Sequence, residues 1–181
     1  MSHSLPLTPD ALQRGARITL LLLDVDGVLT DGRIIYDEFG DELKCFDVQD
    51  GTGLSLWRRA GLKSAIITSR KSKLVARRAK ELRVDFLAQR AVVKLDLFQR
   101  LLRRFRLSPE QVCVMGDDLM ELPLMRRAGL AIAVANAVDE VKAASHYVTQ
   151  CSGGRGAVRE TIELLLKTKG LWDGVTGQYR L

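Results

Sequence analysis

Cysteine is scarce in this chain of 181 residues, and long apolar runs are absent. Its three cysteines, Cys45, Cys113 and Cys151, are odd in number and lack the spacing of metal ligands. This argues against a disulfide framework and favours a reducing cytoplasm. The longest apolar runs, residues 20–23 and 131–135, are too short to cross a bilayer, and no basic segment leads into an apolar signal. We therefore expect a cytoplasmic protein without a membrane partner.

The formal net charge is +6, which could indicate a nucleic-acid partner. However, the basic residues are scattered in pairs over several segments, and such pairs usually form the solvated face of amphipathic helices. A small anionic substrate would account for the remaining positive charge. We expect no nucleic acid, and keep a non-catalytic assembly or nucleic-acid-binding protein as a distant alternative.

Strand and helix patterns alternate along the chain, and its length fits one domain. Alternating βα units imply a mainly parallel sheet with helices on both faces, so we predict an α/β three-layer sandwich. The domain is expected over residues 17–170, between a loose lead-in at 1–16 and a flexible tail at 171–181. Strands are predicted at 18–23, 64–68, 84–86, 111–115, 130–134 and 147–148. Helices are predicted at 53–60, 71–82, 93–105, 122–128, 138–144 and 157–167.

One segment interrupts this alternation. Two short apolar-rich runs flank a polar turn that contains Gly40, which predicts a β-hairpin inserted at about residues 33–46. A two-stranded hairpin is marginally stable alone, so it needs support from its own core or from another subunit.

Two carboxylates, Asp24 and Asp26, follow the first strand, whose continuous apolar run indicates burial on both faces. Open α/β sheets bind ligands at the carboxyl ends of their strands. Two acids so close together repel each other unless a cation lies between them, and oxygen ligands favour Mg²⁺.

Later strands end in complementary groups: Thr68, then Lys94 at the start of a helix, then Asp117 and Asp118. Each group alone has an ordinary interpretation as a turn, a helix cap or a solvated lysine. Together, and in this order, they supply a metal site and groups that hold a phosphoryl group and its developing charge.

The residue types predict a division of roles. Asp24 would attack phosphorus and form an aspartyl-phosphate, while Asp26 would protonate the leaving oxygen and then activate water. Thr68 would donate a hydrogen bond to the phosphoryl group, and Lys94 would neutralise its charge. The predicted Mg²⁺ ligands are Asp24, the backbone carbonyl of Asp26, and Asp117, with Asp118 orienting them from outside the metal's own shell.

The ordered set resembles the haloacid dehalogenase superfamily of Mg²⁺-dependent phosphotransferases. Asp24-Val-Asp26 matches its first motif, Thr68 its second, Lys94 its third and Gly116-Asp117-Asp118 its fourth. Residues 18–170 further resemble one subfamily, the 3-deoxy-D-manno-octulosonate 8-phosphate phosphatases of lipopolysaccharide sugar synthesis. The segments that carry this closer resemblance are 24–32, the hairpin, 49–53, 65–70 and 153–160.

The resemblance implies a Rossmann-like sheet with the small hairpin instead of a cap domain. It also implies a homotetramer in which hairpins pair between subunits and a neighbour helps to cover each site. Its substrate, an anionic sugar-acid phosphate, would contact Asp26, Asp47, Val48, Gln49, Asp50, Gly51, Arg70, Arg78 and Lys94.

Several positions depart from the subfamily pattern. Gln49 stands where many members have Arg, and Ser55 replaces another basic residue. Ser69 and Arg90 stand where Gly is usual, and Asn136 replaces an Asp. Since several of these lie where the sugar would sit, a nine-carbon sialic-acid-type 9-phosphate or a broad set of phosphate esters stays open as the substrate. A site role for Arg155, in the glycine-rich turn 153–156, also stays open.

Overall fold

A six-stranded parallel sheet forms the centre of the molecule in the computed structural model, which describes residues 7–179. Its strand order is β5-β4-β1-β6-β7-β8, and β2 and β3 form a separate two-stranded sheet. The strands are β1 (Leu20–Leu23), β2 (Ile35–Tyr36), β3 (Glu42–Leu43), β4 (Lys63–Ile67), β5 (Phe86–Ala88), β6 (Val112–Gly116), β7 (Leu130–Ala133) and β8 (Tyr147–Val148). All six strands predicted for the main sheet are present, β5 two residues later than predicted.

Helices connect the parallel strands. They are α1 (Pro9–Arg17), α2 (Val48–Arg59), α3 (Lys73–Glu81), α4 (Lys94–Phe105), α5 (Leu122–Met125), α6 (Asp139–Ala143), α7 (Ala157–Thr168) and α8 (Trp172–Thr176). Right-handed crossovers put α2 and α3 on one face of the sheet and α4, α5 and α6 on the other. The helices α7 and α8 pack with α2, and α1 packs with α7, which completes the predicted three layers. Within residues 7–179, no helix combines the length and apolar character needed to cross a bilayer.

The central strand β1 determines where the site lies. Its four leucines are all buried, because β1 is paired with β4 on one side and β6 on the other. Leu23 is paired with both Ile66 and Met115. The residues that follow these three strands therefore meet at one edge of the sheet, as the sequence predicts.

The prediction of a loose lead-in over residues 1–16 is wrong from Pro9 onward, where α1 begins. Thr8 caps this helix by accepting a hydrogen bond from the Ala11 amide at 3.2 Å, and Pro9 occupies its first turn, where no amide is needed. In the predicted tail, α8 and a 3₁₀ turn at Gly177–Tyr179 are helical, and the flexibility of 171–181 stays a prediction. Residues 1–6 and 180–181 lie outside the described part of the chain.

The predicted hairpin is confirmed. Antiparallel pairing joins Ile35 to Leu43 and Tyr36 to Glu42. Asp37 stabilises the turn by accepting hydrogen bonds from the amides of Phe39 and Asp41. Apolar side chains of the hairpin remain in solvent, and Phe39 is 84% exposed.

Candidate active site

The carboxyl edge of the sheet forms a cleft of about 180 Å³ that contains every predicted residue of the phosphoryl-transfer set. Its lining residues are Asp24, Asp26, Thr68, Ser69, Arg70, Lys94, Asp117, Asp118, Met120 and Glu121. Groups separated by up to 97 positions in the sequence, Asp24 and Glu121 at the extremes, therefore meet in one small volume.

A buried ion-pair cluster lies at the base of the cleft. Lys94 Nζ donates to Asp24 Oδ1 at 2.6 Å and also to Glu121 Oε1. Burial alone would lower the pKa of Lys94, but the two carboxylates outweigh it and raise this pKa above its ordinary value. The lysine therefore remains a cation beside Asp24, where a phosphoryl group would need one.

Sequence reasoning missed Glu121. This residue ends a 3₁₀ turn, Leu119–Glu121, and its second carboxylate oxygen accepts from the Asp118 amide at 3.2 Å. The Asp118 side chain in turn accepts from the Glu121 amide, and this reciprocal pairing makes a capping box; Asp118 also accepts from the Leu119 amide. The spacing Asp-x-x-Glu is the usual sign of that motif and could have revealed Glu121. In this structure Asp118 acts as the helix cap and is exposed at the rim of the cleft.

The carboxylates of Asp24 and Asp117 are held in an environment that disfavours their charge. Burial raises the pKa of Asp24 to about 6, despite the opposing effect of Lys94. Burial, together with the charges of Asp24 and Glu121, raises the pKa of Asp117 to about 7. A divalent cation between the two would relieve this repulsion.

The loop after β1 leaves room for Asp117. Gly27 has φ +99°, and a Cβ at this position would lie 1.9 Å from Asp117 Oδ2, so only glycine fits.

Within residues 7–179, no three His, Cys, Asp or Glu side chains are grouped as a metal site. The predicted set has only two carboxylates and one backbone carbonyl, and this all-oxygen donor set suits Mg²⁺, which usually keeps several waters.

The Asp26 carboxylate lies among charges from the hairpin and from the loop after β4. Lys44 Nζ contacts Asp26 Oδ1, and Arg70 Nε lies 3.8 Å from Asp26 Oδ2. Arg70 was predicted to contact substrate, and it lines the cleft. Lys44 was not predicted.

The predicted substrate contacts divide between two places. Asp47, Val48 and Gln49 do not line the catalytic cleft. They line a second cavity of about 540 Å³, together with Asp31, Arg33, Cys45, Phe46, Gly154 and Arg155. Arg155, whose site role stayed open, thus lies on the same cavity as Gln49.

Residues 62–160 match the family model of the haloacid dehalogenase-like hydrolases. The 3-deoxy-D-manno-octulosonate 8-phosphate phosphatase KdsC of Yersinia pestis is 43% identical over 172 residues, which cover 95% of this chain and 92% of that protein. KdsC of Escherichia coli K12 is 43% identical over 173 residues, which cover 96% and 92%. This chain belongs to the haloacid dehalogenase-like hydrolases, in the family of the 3-deoxy-D-manno-octulosonate 8-phosphate phosphatases.

Solved structures agree with this assignment. The crystal structure of the Yersinia pestis phosphatase has a TM-score of 0.92 to this chain at 43% identity, covering 93% of this chain and 91% of that one. The Moraxella catarrhalis phosphatase, solved with a magnesium ion, a phosphate ion and a KDO molecule, has a TM-score of 0.92 at 40% identity, with 94% and 98% covered. The predicted family and the predicted haloacid dehalogenase fold are thereby confirmed.

Three of the predicted substrate contacts line neither cavity. They are Asp50, Gly51 and Arg78, which the resemblance to the phosphatase family assigns to substrate binding. Asp50 is buried and accepts from the Arg159 amide at 2.8 Å, so it caps the first turn of α7 from α2. Burial raises its pKa to about 6. Arg78 donates to the Asp47 carbonyl at 3.3 Å, beside Gly51. Within the single chain these residues organise the loop, and their contact with substrate stays a prediction.

The glycine-rich turn of this phosphatase family member packs directly on the loop that carries the first motif. A Cβ on Gly153 would lie 1.6 Å from the Gly27 carbonyl oxygen. The Gly154 amide donates to the Val28 carbonyl at 2.9 Å. The Gly153 amide donates to Asn136 Oδ1 at 2.7 Å, so the side-chain amide oxygen here supplies the acceptor.

Proposed function

We propose that this hydrolase removes phosphate from 3-deoxy-D-manno-octulosonate 8-phosphate in the cytoplasm, with Mg²⁺ as its cofactor. The observation that carries the proposal is the buried Lys94 ammonium between Asp24 and Glu121, in a cleft that also holds Thr68 and Asp117. The substrate follows from the family, whose relatives carry that activity in their names.

In the proposed reaction Asp24 attacks phosphorus, and the bond to the sugar oxygen breaks as the aspartyl-phosphate forms. Asp26 gives its proton to the departing oxygen, and then takes a proton from the water that hydrolyses the intermediate. Lys94 and Thr68 stabilise the phosphoryl oxygens. Mg²⁺, held by Asp24, the Asp26 carbonyl and Asp117 with Asp118 nearby, would supply further stabilisation of negative charge.

The sugar-acid carboxylate would be bound by arginine, since a guanidinium matches a carboxylate with two parallel hydrogen bonds. Arg70 is the arginine that lines the catalytic cleft. In this proposal Asp47, Val48 and Gln49 complete the sugar site from a neighbouring copy of the chain, and Asp50, Gly51 and Arg78 hold that loop in place. The position of the first three on the second cavity, away from the catalytic cleft of their own chain, supports that arrangement.

We further propose a homotetramer with paired hairpins. The exposed apolar residues Ile34, Ile35, Phe39 and Leu43 support it, because an isolated hairpin gains little stability from side chains left in water. Light scattering after gel filtration should give about four times the chain mass of 20.1 kDa. A monomer would contradict the assembly and leave the chemistry untouched.

A phosphate-release assay tests the function. Purified protein with Mg²⁺ should prefer the eight-carbon substrate by kcat/KM over a nine-carbon sialic-acid-type 9-phosphate and over simple hexose phosphates, and EDTA should stop the release. The departures at Gln49 and Ser55 make the nine-carbon ester the second candidate. A preference for that ester would replace the proposed substrate, while release that is insensitive to EDTA would contradict the metal chemistry.

A further inference from the structure

Lys44 is a buried charge on an otherwise exposed hairpin. It directly follows β3, yet its side chain is only 2% exposed, because it is packed against Asp26, a residue that lines the catalytic cleft. Its ammonium contacts Asp26 Oδ1 and lies 3.4 Å from Glu42 Oε1. Burying an ammonium is costly unless it is paired, and here both of its contacts are carboxylates.

The carboxylate partners of Lys44 are themselves connected. Glu42 also accepts a hydrogen bond from Arg70, and Arg70 Nε faces Asp26 Oδ2 at 3.8 Å. Asp26, Lys44, Glu42 and Arg70 thus form a closed ring of alternating charge. Each oxygen of the Asp26 carboxylate faces a different cation, which fixes the orientation of the carboxylate plane.

We propose that Lys44 is a positioning residue that holds the Asp26 carboxyl group in the orientation needed for proton transfer to the leaving oxygen. The inference rests on the proposed function and deepens it. Lys44 touches no reacting atom. It acts through Asp26, whose O–H bond breaks as its proton passes to the sugar oxygen and the P–O bond to that oxygen is cleaved.

The proposal makes the hairpin part of the catalytic apparatus. The hairpin brings Lys44 and Glu42 to an acid that belongs to the loop after β1, so a change in hairpin position changes the setting of Asp26. If Lys44 merely supported the fold, its loss would slow the cleavage of all substrates equally. If Lys44 positions a general acid, its loss should slow most the cleavage of substrates whose leaving group needs a proton.

The test compares Lys44→Met with wild type on two phosphate esters, under single-turnover conditions with Mg²⁺. These conditions isolate the first phosphoryl transfer from the later hydrolysis of the intermediate. An alkyl ester such as the eight-carbon sugar phosphate expels an alkoxide that needs a proton, whereas p-nitrophenyl phosphate expels a stable phenolate. We expect cleavage of the alkyl ester to slow about 100-fold, within the usual range of general acid catalysis, and cleavage of the aryl ester to slow less than about threefold.

Two further variants complete the experiment. Lys44→Arg keeps the cation and should recover most of the alkyl-ester rate, whereas Glu42→Gln weakens the bracing of Lys44 and should give a smaller loss with the same selectivity. Lys63→Met is the matched control, because Lys63 is paired with Asp85 at 3.0 Å outside the cleft, and it should leave both rates unchanged.

Equal losses on both esters, or no loss in Lys44→Met and Glu42→Gln, would overturn the positioning role. If Lys44→Met does not fold, as judged by circular dichroism, the arginine and Glu42→Gln variants decide. A wild-type protein inactive on both esters would instead contradict the proposed function itself, so the two failures are distinguishable.

Discussion

The catalytic cleft and the second cavity differ in how their polar groups are arranged. In the cleft, Lys94, Asp24 and Glu121 are buried and satisfy one another through contacts fixed by the sheet. In the second cavity, Gln49 and Arg155 are exposed. The groups of the proposed chemistry are thus held in place by contacts within one chain. The groups proposed for sugar recognition are exposed, and in this proposal they gain their contacts from a ligand or a second chain.

The largest expected effect falls in the cleft. Replacing the proposed nucleophile in Asp24→Asn should lower kcat by about 10⁴-fold or more on any phosphate ester, because no aspartyl-phosphate can form. Steady-state phosphate release measures it. The matched variant Asp10→Asn changes an exposed aspartate of α1 and should keep full activity. Undiminished turnover in Asp24→Asn would eliminate this residue as the nucleophile.

The second effect concerns stability. Glu121→Ala should lower the free energy of unfolding by about 3 kcal/mol, because it leaves Lys94 with one partner in a buried place. Urea denaturation measures it. Glu163→Ala removes a partly exposed carboxylate that is paired with Arg159 at 2.7 Å, and should cost less than about 1 kcal/mol. Similar losses of unfolding free energy in the two variants would show that the buried cluster contributes no more to stability than an exposed ion pair.

A smaller effect is expected in the second cavity. Gln49→Arg restores the basic residue usual in the family, and should raise kcat/KM for the eight-carbon sugar phosphate by about tenfold through a charge-assisted contact. It should leave the rate with p-nitrophenyl phosphate unchanged. Gln13→Arg adds the same charge on an exposed part of α1 and serves as the control. An equal gain in both variants would show that the added positive charge acts at long range and makes no specific contact with the substrate.

The smallest effect is a pH dependence of stability in metal-free protein. The pKa values of Asp24 and Asp117 are raised by burial to about 6 and about 7, above their unfolded values. Their contribution is therefore fully present below about pH 4 and is lost as pH rises through 6 to 7. In EDTA, the Tm of the wild-type protein should fall as the pH rises across this window, and the Tm of Asp117→Asn should fall less. Adding Mg²⁺ at pH 8 should restore the wild-type Tm. A wild-type slope equal to that of Asp117→Asn would contradict the contribution of Asp117.

The sequence was sufficient for the sheet and for the groups at its edge. Buried parallel strands appear as short apolar runs, and the polar residue after each run must fall at the common carboxyl edge, so Asp24, Thr68 and Asp117 could be predicted. The helix α2 starts at Val48, five residues before the predicted start at Gly53, and its first turns contain two glycines, residues that disfavour helices. In the structure Gly51 leaves room for the Arg78 side chain, and Gly53 leaves room for Arg159.

Contacts between distant elements could not be predicted. Lys44 meets Asp26 only because the hairpin folds back toward the sheet, and no local pattern specifies that direction. The role of Asp50 likewise depends on a contact with a distant element. Its acidic side chain in a loop that resembles a substrate site suggests ligand binding, yet it caps α7, an element more than 100 residues later in the chain.

The glycine-rich turn has a consequence for the order of events during synthesis. Gly153 and Gly154 pack on residues 27–31, so the shape of the loop behind the proposed nucleophile, Asp24, depends on a segment near the other end of the chain. A nascent chain that has already released all four motifs from the ribosome still lacks this support. Catalytic competence therefore arises late in translation, once the turn at 153–156 is free to pack.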